Sequence, residues 1–293
     1  RDLPHKAYLG PAIITVAFVV MMFIAIGEPI LFNVLLAVYL SGTAYYFVHQ
    51  LCGKYKSWWL LGGTVLATIL ILLSPLLNLF ILIFRDGLPG KIPTPGEPIN
   101  FLGLFIRMFF GAGLMEELIK ALPTLGLYYL GFQLRSPWRE RLGVWEPLDG
   151  ILLGTAAAVG FTLLETLGQY VPDMVQTTTL VLGRESGQLY GLQLLIPRIL
   201  GSVAGHMAYS GYLGYFIGLS ALKPKHRWQI MGIGYLTAAV LHAFWNAIGS
   251  INVLMLALVG IISYAFLAAA ILKARQLSPT RSKNFATRFS HDI

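Results

Sequence analysis

WWLLGGTVLATILILLSPLLNLFILIF, residues 58–84, is a run of 27 residues without a charged side chain. A membrane-spanning helix needs about 20 mostly apolar residues, so this run can cross a bilayer with length to spare. Pro75 lies inside it and lacks an N–H, which predicts a kink or a tilt. Working outward, further apolar runs fall at roughly 10–27, 30–51, 101–131, 148–171, 189–221, 228–250 and 252–273. Glu28-Pro29 separates the first two. Composition agrees: 56% of residues are hydrophobic, only 12% are charged, and the mean hydropathy is +0.70. A soluble domain carries about 25% charged residues, so this chain has too few to coat a water-facing surface. The expected fold class is an all-α, polytopic membrane helix bundle of about eight transmembrane helices. Residues 1–275 form a single transmembrane domain in this reading.

The charges carry topology. If the N-terminus is cytoplasmic, fifteen Lys and Arg fall in inside segments and three, Arg85, Lys91 and Arg184, fall outside. This positive-inside bias predicts that both termini are cytoplasmic. It also accounts for the net charge of +8 without nucleic acid, because basic loops face anionic lipid head groups. Residues 86–100, rich in Pro and Gly, are expected to be irregular. Residues 172–188 read as a polar outer loop that can also serve as a lid or substrate rim. The basic tail, 276–293, is expected to be disordered. The one cysteine, Cys52, excludes a disulfide within the chain and a cysteine-rich metal site. Gly150 and Gly154, Gly201 and Gly205, and Gly214 and Gly218 are each four apart, a spacing that lets helix backbones approach closely.

Ionisable groups inside spans are expensive, so each is a functional hypothesis by default. Met115-Glu116-Glu117-Leu118-Ile119-Lys120 sets Lys120 three and four residues after two acids, spacings that meet on a helix. Lys120 can neutralise one carboxylate; the other can serve as a general base. The plain alternative is a structural ion pair. Glu165 follows Phe161 in an apolar, small-residue run, where it either joins the acids or caps a helix end. His206 lies in Gly205-His206-Met207-Ala208-Tyr209-Ser210-Gly211. His242 and Asn246 are four apart on one helix face, where they can hold a water or donate to an oxyanion. Leaving all these groups without a role would impose a heavy desolvation cost, so one wet cavity is expected. Helical rise places it in the outer half of the bilayer.

The order Glu116-Glu117-x-x-Lys120, Phe161-x-x-x-Glu165, His206 and His242-x-x-x-Asn246 resembles the PrsW family of intramembrane proteases, related to the Abi or CAAX-protease superfamily. The resemblance covers about 101–250, the expected catalytic core. Prenyl-protein proteases of the superfamily carry an Arg after the double Glu and a His where this chain has Glu165, so the chain looks closer to PrsW. The resemblance implies a bacterial plasma-membrane protein and site-1-type cleavage of a membrane-anchored protein such as an anti-sigma factor.

The expected catalytic set is Glu116, Glu117, Glu165, His206, His242 and Asn246, with Lys120 supporting. Glu116 activates a water, His206 or His242 assists or protonates the leaving amine, and Asn246 with His242 stabilises the oxyanion. Zinc has a ligand set if Glu116, Glu165, His206 and His242 converge. No His-Glu-x-x-His pair is present, and a metal-independent, glutamate-dependent reaction is the expectation. Two other classes stay open. A proton- or ion-coupled transporter would use the same groups as a relay, although no inverted repeat is seen. A non-catalytic scaffold would hold a single-span partner.

Overall fold

The computed structural model describes residues 6–94, 97–249 and 251–285. Among these residues the secondary structure is helical throughout, with no strand. The helices are α1 Lys6–Ile24, α2 Pro29–Cys52, α3 Trp58–Leu73, α4 Leu76–Ile81, α5 Phe101–Met108, α6 Met115–Gln133, α7 Trp138–Leu142, α8 Pro147–Glu165, α9 Val171–Leu182, α10 Arg184–Ser202, α11 Ala208–Leu222, α12 Arg227–Gly249 and α13 Val253–Leu277. Among the described residues four helical stretches are long and apolar enough to cross a membrane: Pro29–Cys52, Trp138–Leu182 (α7 to α9), Pro224–Gly249 and Val253–Leu277. The pair Trp58–Leu73 and Leu76–Gly87, bent by 68°, makes a fifth if taken as one span. That bend is the kink Pro75 requires. The Ser74 hydroxyl donates to the Ile71 carbonyl at 2.7 Å, answering an acceptor that proline leaves open.

Wide π-type turns occur at Leu82–Gly87, Phe109–Leu114, Thr166–Tyr170 and Val203–Met207. Such turns are rare and concentrate at functional sites. Three of them fall inside the expected spans 101–131, 148–171 and 189–221.

By internal contacts the chain divides into two compact units. The smaller holds residues 1–44 and 163–200. Ala37, Val171, Leu195 and Ile199 form its buried core, packed by Leu36, Leu40, Leu163, Leu167, Val175 and Leu192. Here the expected polar loop at 172–188 is corrected. The segment is helical, and α9 and α10 meet at Gly183 alone. Pro172 sits in the first turn of α9, where its missing N–H costs nothing. Gly183 takes φ +88°, open to glycine without strain. The Thr run suggested a loop, but the buried face carried by Val171, Leu195 and Ile199 decides for helix.

The larger unit holds residues 45–162 and 201–293. Its α8 is buried at every position from Pro147 to Thr162. A helix apolar all round belongs inside a bundle. α8 crosses α11 backbone to backbone: a Cβ added at Gly150 would lie 1.9 Å from the Gly214 carbonyl oxygen. The glycine pairs 150/154 and 214/218 therefore do pack helices closely, as their spacing predicted. Gly214→Val is expected to force α8 and α11 apart. Overpacking costs about 1–3 kcal/mol when neighbours can yield, and a backbone carbonyl cannot. A clear fall in Tm in detergent, or loss of the folded fraction, checks this; an unchanged Tm refutes the crossing.

A second polar set was misread from sequence. Lys54 and Lys56 are two of the fifteen inside cations expected against lipid head groups, but both are buried. Lys54 pairs with Glu146 and, at 2.9 Å, with Asp149. Lys56 reaches Asp149 at 3.0 Å and donates to the Gly143 carbonyl at 2.8 Å. The start of the tail joins the set, with the Thr280 hydroxyl donating to Glu146 at 2.7 Å and the Asn284 amide to Ser278 at 3.1 Å. These contacts involve the tail only up to Asn284; residues 286–293 lie outside the described residues. Burial opposes the Lys54 charge, yet Asp149 and Glu146 outweigh it and hold its pKa above the ordinary lysine value. For Lys56 burial dominates and the pKa falls. A raised lysine pKa adds stability below the unfolded value and loses it as pH rises through the folded value. Lys54→Met is expected to cost about 3–5 kcal/mol near neutral pH, as breaking a buried pair does. The Tm difference from the parent should shrink as the pH becomes alkaline, and a constant difference would refute the pairing.

Candidate active site

α6 begins directly after the wide turn Phe109–Leu114, so Glu116 and Glu117 occupy its first turn. α12 is tied to the same turn, because the Tyr235 hydroxyl donates to the Leu114 carbonyl at 2.7 Å. A Cβ at Gly113 would lie 2.4 Å from the Ala239 carbonyl oxygen, so only glycine lets the turn sit this close to α12. That approach carries His242, one helical turn further on, to the acid pair. His206 arrives from the wide turn Val203–Met207, ahead of α11.

Glu117 is the hub. Lys120 donates to its Oε1 at 2.5 Å, His242 Nδ1 lies 2.9 Å from the same oxygen, and Ser210 donates to Oε2 at 2.8 Å. Glu117, Lys120 and His242 are fully buried. Lys120 also reaches His206 Nδ1 at 3.0 Å and lies 4.5 Å above the Phe161 ring. One ammonium thus meets a carboxylate, an imidazole and an aromatic face, each able to answer one N–H. The Tyr209 ring stacks on His242 with centroids 5.1 Å apart, and the two imidazoles stand edge to face at 4.9 Å.

Glu116 has different surroundings. Its Oε2 lies 3.6 Å from His242 Nε2, and Arg85 Nη2 lies 3.7 Å from its Oε1. With Nδ1 turned to Glu117, His242 aims Nε2 at this gap. That nitrogen is buried and makes no hydrogen bond to any described residue. A buried acid and a bare imidazole nitrogen just beyond hydrogen-bond reach leave a position for a third group.

The PrsW family, described as an intramembrane metalloprotease family, matches residues 56–272. This chain belongs to the PrsW family. The chain is also similar to two curated relatives, each called Protease PrsW. The one from Shouchella clausii is 27% identical over 142 residues, covering 48% of this chain and 54% of the relative. The one from Halalkalibacterium halodurans is 24% identical over 148 residues, covering 50% and 56%. The chain thus spans about half the length of the curated relatives it matches. No solved structure matches it.

The PrsW description implies a metal, and the site's donors fit one. Glu116, His206 and His242 each offer a ligand atom, all within 4.8 Å of one another. Two imidazoles and a carboxylate are a common zinc set. A carboxylate behind the ligating imidazole, as Glu117 is behind His242, is the usual orienting partner. Glu165, the fourth expected ligand, belongs to the other unit, where it pairs with Arg198 at 2.7 Å. Asn246 is half-buried one turn after His242, and no described residue hydrogen-bonds its side chain. Cys52 is wholly buried at the end of α2. Sequence reading missed Ser210 as a partner of Glu117. Its position four residues after His206, on the same helical face, was the available signal. Arg85 was counted as an outside loop charge, and nothing in its spacing pointed to Glu116.

Proposed function

We propose that this PrsW-family protein is an intramembrane endopeptidase that hydrolyses a peptide bond of a membrane-anchored protein. The observation that carries the reading is the gap between Glu116 and His242 Nε2, two proton acceptors facing one buried position. In this reading Glu116 takes a proton from a water held there as that water attacks the carbonyl carbon. His242 Nε2 takes that proton from Glu116 and passes it to the amine nitrogen as the C–N bond breaks, which returns both groups to their starting state. Glu117, fixed by Lys120 and Ser210, keeps the His242 ring turned with Nε2 towards the reaction. Asn246 donates to the oxygen on which negative charge builds. The motif resemblance extends the reading to site-1-type cleavage, with an anti-sigma factor as substrate class. The chain then crosses the membrane eight times as one domain with both ends in the cytoplasm, and the site opens to the outer face.

A second reading of the chemistry rests on the three ligand atoms within 4.8 Å. Glu116, His206 and His242 would hold a zinc ion, which supplies a water of lowered pKa and a Lewis acid for the carbonyl. Lys120 donating to His206 Nδ1 favours the metal-independent form, since the neutral ring then carries its proton on Nε2 and has no lone pair left for a metal.

The test is cleavage in liposomes. The parent protein is mixed with tagged single-span proteins and the fragments are read on gels. A fragment made by the parent supports the endopeptidase; intact partners throughout, with folded protein, refute it in favour of a transporter or scaffold. The same assay after chelation, with metal content measured, separates the two chemistries. Under the zinc reading activity vanishes and returns with zinc, and zinc affinity rises with pH because the ligands must be deprotonated. Full activity in metal-free protein leaves the glutamate reaction.

A further inference from the structure

We infer that Arg85 is a catalytic residue: its guanidinium binds the carbonyl oxygen of the scissile bond and stabilises the negative charge that builds on it. The inference rests on the endopeptidase reading. Arg85 lies in the wide turn Leu82–Gly87 that ends the bent span, far in sequence from the acids. Its Nε donates to the Gly111 carbonyl at 3.1 Å, and its Nη2 stands 3.7 Å from Glu116 Oε1. Backbone packing fixes this placement. A Cβ at Gly111 would lie 1.9 Å from the Gly90 carbonyl oxygen, so the chain just after Arg85 sits directly on the turn that leads to Glu116.

Exposure shows where a substrate enters. The side chains of Glu117 and Lys120 are 0% exposed and that of His242 is 1% exposed, whereas Glu116 is 10% and Arg85 27% exposed. The cluster is therefore sealed on the Lys120 side and open on the Glu116 side, and Arg85 stands at the opening. A carbonyl whose carbon is presented to a water on Glu116 brings its oxygen to this rim. The guanidinium carries five N–H donors in a planar fork. With Nε committed to Gly111 and one edge towards Glu116, further N–H groups remain for that oxygen. A fixed cation costs little reorganisation as charge develops, which is where an oxyanion donor gains its effect. The geometry serves a glutamate-activated or a metal-bound water equally.

The test uses the full chain in liposomes and the single-span protein that the parent cuts. Arg85→Ala is expected to lower kcat by about 10²–10³-fold, the loss typical of one oxyanion donor, with KM little changed. Arg85→Lys should retain part of the rate. Guanidinium chloride at millimolar concentration should restore rate to Arg85→Ala and leave Arg85→Lys unaffected. A merely structural arginine would give a Tm loss without rescue. The inference is overturned if Arg85→Ala cuts as fast as the parent, or if its loss is matched by Arg85→Lys and neither responds to guanidinium. A parent that cuts no partner overturns the endopeptidase reading and this inference together, which tells the two failures apart.

Discussion

Glu117→Ala is expected to abolish cleavage and to destabilise the larger unit at the same time. The variant removes the acceptor for Lys120, Ser210 and His242 in one step. Lys120 is fully buried, so its charge is left with His206 and the Phe161 ring and no carboxylate. Breaking a buried pair by deleting one partner costs about 3–5 kcal/mol, a large part of a typical domain stability of about 5–15 kcal/mol. His242 also loses the partner that orients its ring. The two effects separate in a double variant. Glu117→Leu with Lys120→Met replaces the pair by apolar groups of similar volume, and such swaps are often neutral. Tm should recover while cleavage stays absent. A Glu117→Ala protein with the parent's Tm would refute the hub, and an active double variant would remove Glu117 from the chemistry.

Glu116→Gln is expected to give the opposite pattern: a rate lower by about 10²–10⁴-fold, the usual contribution of a general base, with Tm close to that of the parent. Glu116 stands at the open side of the cluster and glutamine keeps its shape. Its contacts to His242 and Arg85 are long, at 3.6 and 3.7 Å, whereas Lys120, His242 and Ser210 all lie within 3 Å of Glu117. The variant should still capture a single-span partner without cutting it. Retained cleavage would refute the role assigned to Glu116, and loss of partner binding would favour the scaffold class. Adjacent acids with opposite stability and rate signatures would tie the division of labour to their surroundings.

Those surroundings explain what could be read in advance. That Lys120 meets one of the two acids was legible, because spacings of three and four residues on a helix are local facts. So was the bend at Pro75, which follows from a missing N–H. The order of the motifs pointed to the PrsW family, which the match over residues 56–272 shows. The reading of 172–188 as a loop failed because it weighed polarity and ignored the apolar face that α9 and α10 bury. Lys54 and Lys56 were misplaced for a related reason. A lysine beside a span reads as a head-group contact unless a carboxylate meets it, and Glu146 and Asp149 lie some ninety residues away.

By itself the sequence determined the solvent of this protein, its helical class and the identity of most groups that must share a polar site. Each follows from composition, periodicity or the cost of an ion in an apolar span. Only the tertiary structure decided which acid is locked and which faces the opening, that Glu165 pairs with Arg198 in a separate unit, and that Arg85 stands beside Glu116. The contacts within the larger unit join distant segments where backbones approach closely, as Gly90 meets Gly111, Gly113 meets Ala239 and Gly150 meets Gly214. A glycine in the sequence permits such an approach; the partner it meets is chosen by the packing of the whole bundle.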